Sequence, residues 1–85
     1  MSVQKTRALL VDVARQLFAK NGFEDTSMND IAVAANRGRR TLYTYFNSKE
    51  EIYLAVIQTE LERLFERMEE VARKNISPEE KLVQL

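Results

Sequence analysis

The chain of 85 residues has no cysteine, no histidine and no tryptophan, and only two glycines and one proline. Without cysteine there is no disulfide framework and no thiolate chemistry. Without histidine, the commonest general base and the commonest metal ligand are both missing. So few Gly and Pro residues argue against a loop-rich or all-β chain. No apolar run approaches the length of a membrane span. The N-terminus, MSVQKTRALL, lacks the uninterrupted apolar segment and the small-residue cleavage site of a signal peptide. These absences predict a soluble cytoplasmic protein about one small domain in size, with a core too limited for more than marginal stability alone. They also leave no nucleophile–base pair and no glycine-rich phosphate loop. An enzyme is therefore the least supported class, and no catalytic residue, metal site or cofactor is predicted.

Net charge is absent too, with 13 basic residues against 13 acidic ones. The balance hides a split. Residues 1–49 carry eight Lys and Arg against four acids, a surplus of +4, and residues 50–85 carry the matching deficit. Such asymmetry suggests that the first part faces a polyanion.

What is present is helical periodicity. From Thr6 to Lys20, the residues Leu9, Leu10, Val13, Ala14, Leu17 and Phe18 recur at three and four and predict a scaffold helix with one wide apolar stripe. Asn21-Gly22 is a helix stop, with Gly able to take the left-handed position and Phe23 able to fold back on the last turn. A second helix opens at Ser27, with Asp30 three residues on as a capping box. Its inward residues are Met28, Ile31, Ala32 and Ala35. Thr26 and Ser27 are expected to cap it, and can also present hydroxyls and backbone N–H groups to a phosphate. The turn is Asn36-Arg37-Gly38, where Asn tolerates the left-handed conformation and Gly adopts it freely.

The third helix is the informative one. Arg39, Arg40, Thr41, Tyr43, Thr44 and Tyr45 surround only two clear apolar anchors, Leu42 and Phe46. That is a poor composition for a core helix and a good one for a helix that reads DNA. Arg offers a bidentate fork to guanine or phosphate. Thr and Tyr hydroxyls reach phosphates or base edges. Two short helices joined by a tight turn, the second rich in donors, form a helix-turn-helix. Arg39, Arg40, Thr41 and Thr44 are the candidates for base readout. Arg37, Tyr43 and Tyr45, with Thr26 and Ser27, are the candidates for phosphate contact.

Ser48 and Glu51 form a second capping box and open a long helix, expected from about Lys49 to Lys74. Tyr53, Val56, Ile57, Leu61, Leu64, Met68 and Val71 make its stripe, with Leu54 and Phe65 beside it. Glu69–Arg73 and Glu70–Lys74 are favourably oriented i,i+4 pairs. Three short helices cannot cover so long an apolar face. After Asn75-Ile76, the run Ser77-Pro78-Glu79-Glu80 restarts a helix that has hardly begun at Leu85, as in the opening part of a longer protein. The fold expected is all-α: a three-helix, homeodomain-like helix-turn-helix unit in residues 1–49, then a connecting helix and the start of another in residues 50–85.

The stretch Ile31-Ala32-Val33-Ala34-Ala35-Asn36-Arg37-Gly38-Arg39-Arg40-Thr41-Leu42-Tyr43-Thr44-Tyr45-Phe46-Asn47-Ser48-Lys49-Glu50-Glu51-Ile52 resembles the DNA-binding domain of the tetracycline-repressor family of bacterial transcription regulators. That family's pattern runs I-A-x-x-A-G-V-S-x-G-T-L-Y-x-[YH]-F-x-[ST]-K-E-E-[LI]. The chain keeps the tail TLYTYFNSKEEI. It departs in the turn, where Asn36 replaces Gly, Arg37 an apolar residue, Gly38 a Ser and Arg40 a Gly. The resemblance covers roughly Thr6 to Tyr53. It implies that the aromatic positions and Lys49 clamp phosphates. It further implies a homodimer on a palindromic double-stranded DNA operator, and a larger all-helical domain that binds a small-molecule effector and forms the dimer. A repressor is implied, with activation also found in the family.

A reading from another class is a helical protein-interaction module that offers the stripe of the long helix to a partner. Against it stands the concentration of Arg, Thr and Tyr in one short helix.

Overall fold

The computed structural model describes residues 3–75, which form four helices and, among the described residues, no strand. They are α1 Val3–Asn21, α2 Met28–Ala34, α3 Arg39–Tyr45 and α4 Lys49–Asn75. The expected restart at Ser77-Pro78 lies outside the described residues.

Helix α1 begins three residues earlier than Thr6, and Thr6 itself is buried. It stops where the Asn-Gly pair predicts. Gly22 has φ 88° and donates its N–H to the Phe18 carbonyl at 2.9 Å. A side chain is disfavoured in that left-handed conformation, which is why glycine serves there. Helix α2 is opened by a complete capping box. Ser27 Oγ accepts from the Asp30 N–H at 3.0 Å, and the Ser27 N–H donates to Asp30 Oδ2 at 2.9 Å. It is closed by a Schellman motif. Asn36 has φ 54°, its N–H donates to Val33 at 3.0 Å, and the Arg37 N–H donates back to Ala32 at 2.9 Å. Asn36 alone carries the left-handed position. Gly38 is extended, φ −71° and ψ 154°, and serves as the N-cap of α3 with no side chain to bond the helix amides.

Helix α3 ends because Phe46 turns extended, φ −139° and ψ 128°, while its ring stays in the core. The chain therefore breaks between α3 and α4. At the start of α4, Ser48 Oγ accepts from the Glu51 N–H at 3.3 Å. The return arm of the expected box is displaced by one residue: Glu51 Oε1 accepts from the Asn47 N–H at 3.4 Å.

All four helices supply the core. It holds Leu10, Val11 and Ala14 of α1, and Ile31 and Ala32 of α2 with the capping residue Ala35. From the second half of the unit come Leu42, Phe46, Ile52, Ala55 and Val56. Val11 belongs to it although it falls outside the expected stripe, because α1 packs on both α2 and α4 and needs a wider apolar face than one partner would use. The stripe expected for α4 divides in two. Val56, with Ile52 and Ala55, faces the core, whereas Leu54, Ile57, Leu61, Leu64, Phe65, Met68 and Val71 are exposed. Only the first turns of α4 are held by the domain, and the remainder projects from it. The radius of gyration, 18.2 Å, records that projection, since a compact chain of this length has about 12 Å.

Candidate nucleic-acid interface

Helices α2 and α3 are seven residues each, joined by the turn 35–38. Neither could form alone at that length. Each is fixed through its apolar side: Ile31 and Ala32 for α2, Leu42 and the following Phe46 for α3. Arg7 of α1 lays its guanidinium over the Phe46 ring, 5.2 Å from the centroid, and seals that side. What α3 turns outward is therefore set by what it buries.

The outward side holds Arg39, Arg40, Tyr43 and Thr44, all exposed. The side chains of Arg39 and Arg40 have no hydrogen-bond or ion-pair partner among the described residues. Two unpaired guanidinium forks on one turn of a helix can each bind a guanine edge or a phosphate. Thr44 donates its hydroxyl to the Arg40 carbonyl at 2.9 Å, so its oxygen faces out mainly as an acceptor. Thr41 is half-buried beside it. Arg37 in the turn is half-buried and donates to the Asn36 carbonyl at 3.1 Å.

Four phosphate candidates are placed differently from the sequence expectation. Thr26 is 1% exposed, and its hydroxyl donates to the Gly22 carbonyl at 2.8 Å. Its N–H donates to Phe23 at 3.3 Å. Thr26 closes the end of α1 from inside and has nothing left for a phosphate. The adjacent Ser27 is exposed, but its N–H is spent on Asp30, which leaves only the hydroxyl proton to donate. Tyr45 is half-buried with its ring packed against the core, whereas Tyr43 is the exposed member of the pair.

Lys49 is the fourth. Its Nζ donates to the Phe23 carbonyl at 2.7 Å and stands 4.2 Å from the Phe23 ring centroid. The lysine is folded onto the α1–α2 connection and not extended into solvent. Sequence reasoning missed this contact, and also Arg7 over Phe46. Both join residues far apart in the chain, and helical periodicity carries no signal for such pairs.

Among the described residues, no group of three or more acidic, His or Cys side chains could hold a metal ion. No described helix is long and apolar enough to cross a membrane.

Comparison with known proteins finds a family model, described as "Bacterial regulatory proteins, tetR family", that matches residues 10–56, more than half of the chain. Among curated proteins, the fatty acid metabolism regulator protein of Bacillus subtilis (strain 168) is 32% identical over 73 residues, covering 86% of this chain and 38% of its own length. The HTH-type transcriptional regulator UidR of Escherichia coli (strain K12) is 37% identical over 67 residues, covering 79% of this chain and 34% of its own. The chain thus spans little more than a third of the length of these relatives.

Proposed function

The chain belongs to the tetR family of bacterial regulatory proteins, and from that premise we propose that residues 1–49 are the sequence-reading head of a transcriptional repressor. The head binds double-stranded DNA by laying α3 in the major groove. Arg39, Arg40 and Thr44 read base edges there, with Thr41 at the margin. Arg37, Tyr43 and the Ser27 hydroxyl grip the flanking phosphates and fix the register. The observation that carries the reading is the outward side of α3, where Arg39 and Arg40 are exposed and unpaired beside Tyr43 and Thr44. The whole protein acts in the cytoplasm as a homodimer on a palindromic operator, and a small effector bound beyond residue 85 releases it. Residues 50–85 connect the head to that part.

Selection of bound sites from random duplex DNA tests the reading. The expected product is a consensus with two-fold symmetry whose half-site centres lie about one helical turn, 34–36 Å, or a multiple of it apart. Recovery of no consensus by the wild-type protein would reject it.

A further inference from the structure

We propose that the operator is specified by guanine and that Arg40 sets this choice: each half-site carries a guanine whose O6 and N7 accept from the Arg40 guanidinium at the floor of the major groove. The inference deepens the function proposed above and rests on it.

Rotation about the axis of α3 singles out Arg40. Leu42 is buried and Tyr45 packs its ring on the core, so these two fix which way the helix faces. By the helical repeat, Arg40 stands about 160° around the axis from Leu42 and about 140° from Tyr45. No other residue of α3 is as far from both. Arg39 is only about 60° from Leu42, toward one side of the helix. An α-helix with its side chains is about 10–12 Å across, and the major groove is about 12 Å wide. A helix lying in the groove therefore fills it. Residues toward its sides meet the phosphate walls or the outlying base pairs, and the residue opposite the buried side meets the floor.

The composition of α3 narrows what that floor can be. The helix, RRTLYTY, holds no Asn or Gln for a bidentate adenine contact and no carboxylate to accept from cytosine. An arginine fork fits guanine, which alone among the four bases presents two acceptors there, O6 and N7. The Arg40 side chain is exposed, has no hydrogen-bond or ion-pair partner among the described residues, and meets no acid in the first turn of α3. It is free to make that contact. The resembled family's pattern has Gly at this position. A glycine has no side chain with which to read a base, so Arg40 adds a base pair that Gly would leave unread.

The test uses the full-length protein and the duplex it selects. The wild type should select a guanine at a fixed position of each half-site. Arg40→Gln should replace it by adenine, because Gln pairs with adenine N6 and N7. Arg39→Gln should leave that position as guanine. Arg40 is exposed, and Gln is as good a helix former as Arg, so melting of the variant should match the wild type. Base analogues test the same contact with no variant at all. In the wild-type complex, 7-deazaguanine at that position lacks N7 and should weaken binding about fivefold, the lower end of what a bidentate pair contributes. Inosine keeps O6 and N7 and lacks only the minor-groove amino group, so it should bind like guanine. A two-fold consensus that keeps its guanines in Arg40→Gln, or a 7-deazaguanine duplex bound at full affinity, would overturn the inference and leave the proposed function standing. A wild type that selects no consensus would reject the proposed function, and this inference with it.

Discussion

Arg39 and Arg40 occupy the first turn of α3, a turn that contains no acid. Unsatisfied amides give that end of a helix a partial positive charge, so cations there are unfavourable by a few tenths of a kcal/mol each. Among the described residues no ion pair offsets them. Residues that break a local stability rule without compensation mark a functional surface. Replacing either with Ala should therefore leave the melting temperature unchanged or slightly raised. It should also relax base preference at one or two operator positions, since a bidentate contact carries about 1–3 kcal/mol of discrimination. Site selection with the variants, run beside thermal melting, checks both halves. An unchanged consensus would remove these arginines from base readout. Gly38 offers the complementary case. It is the N-cap of α3, its backbone suits any residue, and a Cβ there would meet nothing within 4 Å. The family pattern has Ser at this position. Gly38→Ser should supply the missing side-chain cap and reduce unfolded-chain freedom, a gain of about 0.5–1 kcal/mol. Chemical denaturation should show a higher midpoint at unchanged slope.

At the scale of helices, the attachment of α4 to α1 includes a small charged cluster. Arg15 binds Asp12 Oδ1 at 3.0 Å within α1 and lies 3.8 Å from Glu60 of α4. The Arg15 hydrogen bond is the main reason the Asp12 carboxyl is held below its usual range. A depressed folded value means that the contribution is present above the unfolded value and is lost as the pH falls through the folded one. The pair is part-exposed, so the effect is small. Asp12→Asn should be slightly less stable than the wild type at neutral pH, with the two curves converging in strong acid. Melting across pH would show this, and a difference that persists below the carboxylate range would refute it. The same helices show what a sequence can disclose. Caps were legible: Ser27 with Asp30, Gly22, Asn36 and Ser48 set helix ends by local chemistry, and α4 begins at Lys49 as expected. The donor-rich side of α3 was legible because only Leu42 and Phe46 could be its buried side. The inward turn of Thr26, the folding of Lys49 onto Phe23 and the burial of Val11 were not. Each depends on how α1 meets the elements packed on it, and the pattern of one helix does not encode its crossing with another.

Across the whole molecule, the core ends near Val56 while α4 continues to Asn75. The exposed residues Leu54, Ile57, Leu61, Leu64, Met68 and Val71 recur at alternating intervals of three and four, with Phe65 alongside. That spacing puts them on one side of the helix, a short stretch of the repeat that pairs helices in coiled coils. Each such side chain gains about 1.5–3 kcal/mol when fully buried. The described residues leave much of this side exposed, so the 85-residue chain has a strong drive to bury it. We expect concentration-dependent self-association through α4, or loss of helix in its C-terminal half. DNA binding should suffer in parallel. A regulator with two heads at fixed spacing turns the second contact into an intramolecular one, which raises affinity without any new contact. A single head should fall towards the non-specific range, about 10⁻⁴–10⁻⁶ M at physiological salt. Sedimentation at several concentrations, with and without a palindromic duplex, reads both effects, and hydrogen exchange reads the helix. Leu61→Glu should lower the association without weakening single-head binding, because Leu61 lies beyond the part of α4 that the core holds. A clean monomer whose α4 is protected throughout would contradict the argument from the exposed side. Nanomolar operator binding by that monomer would contradict the need for a second head.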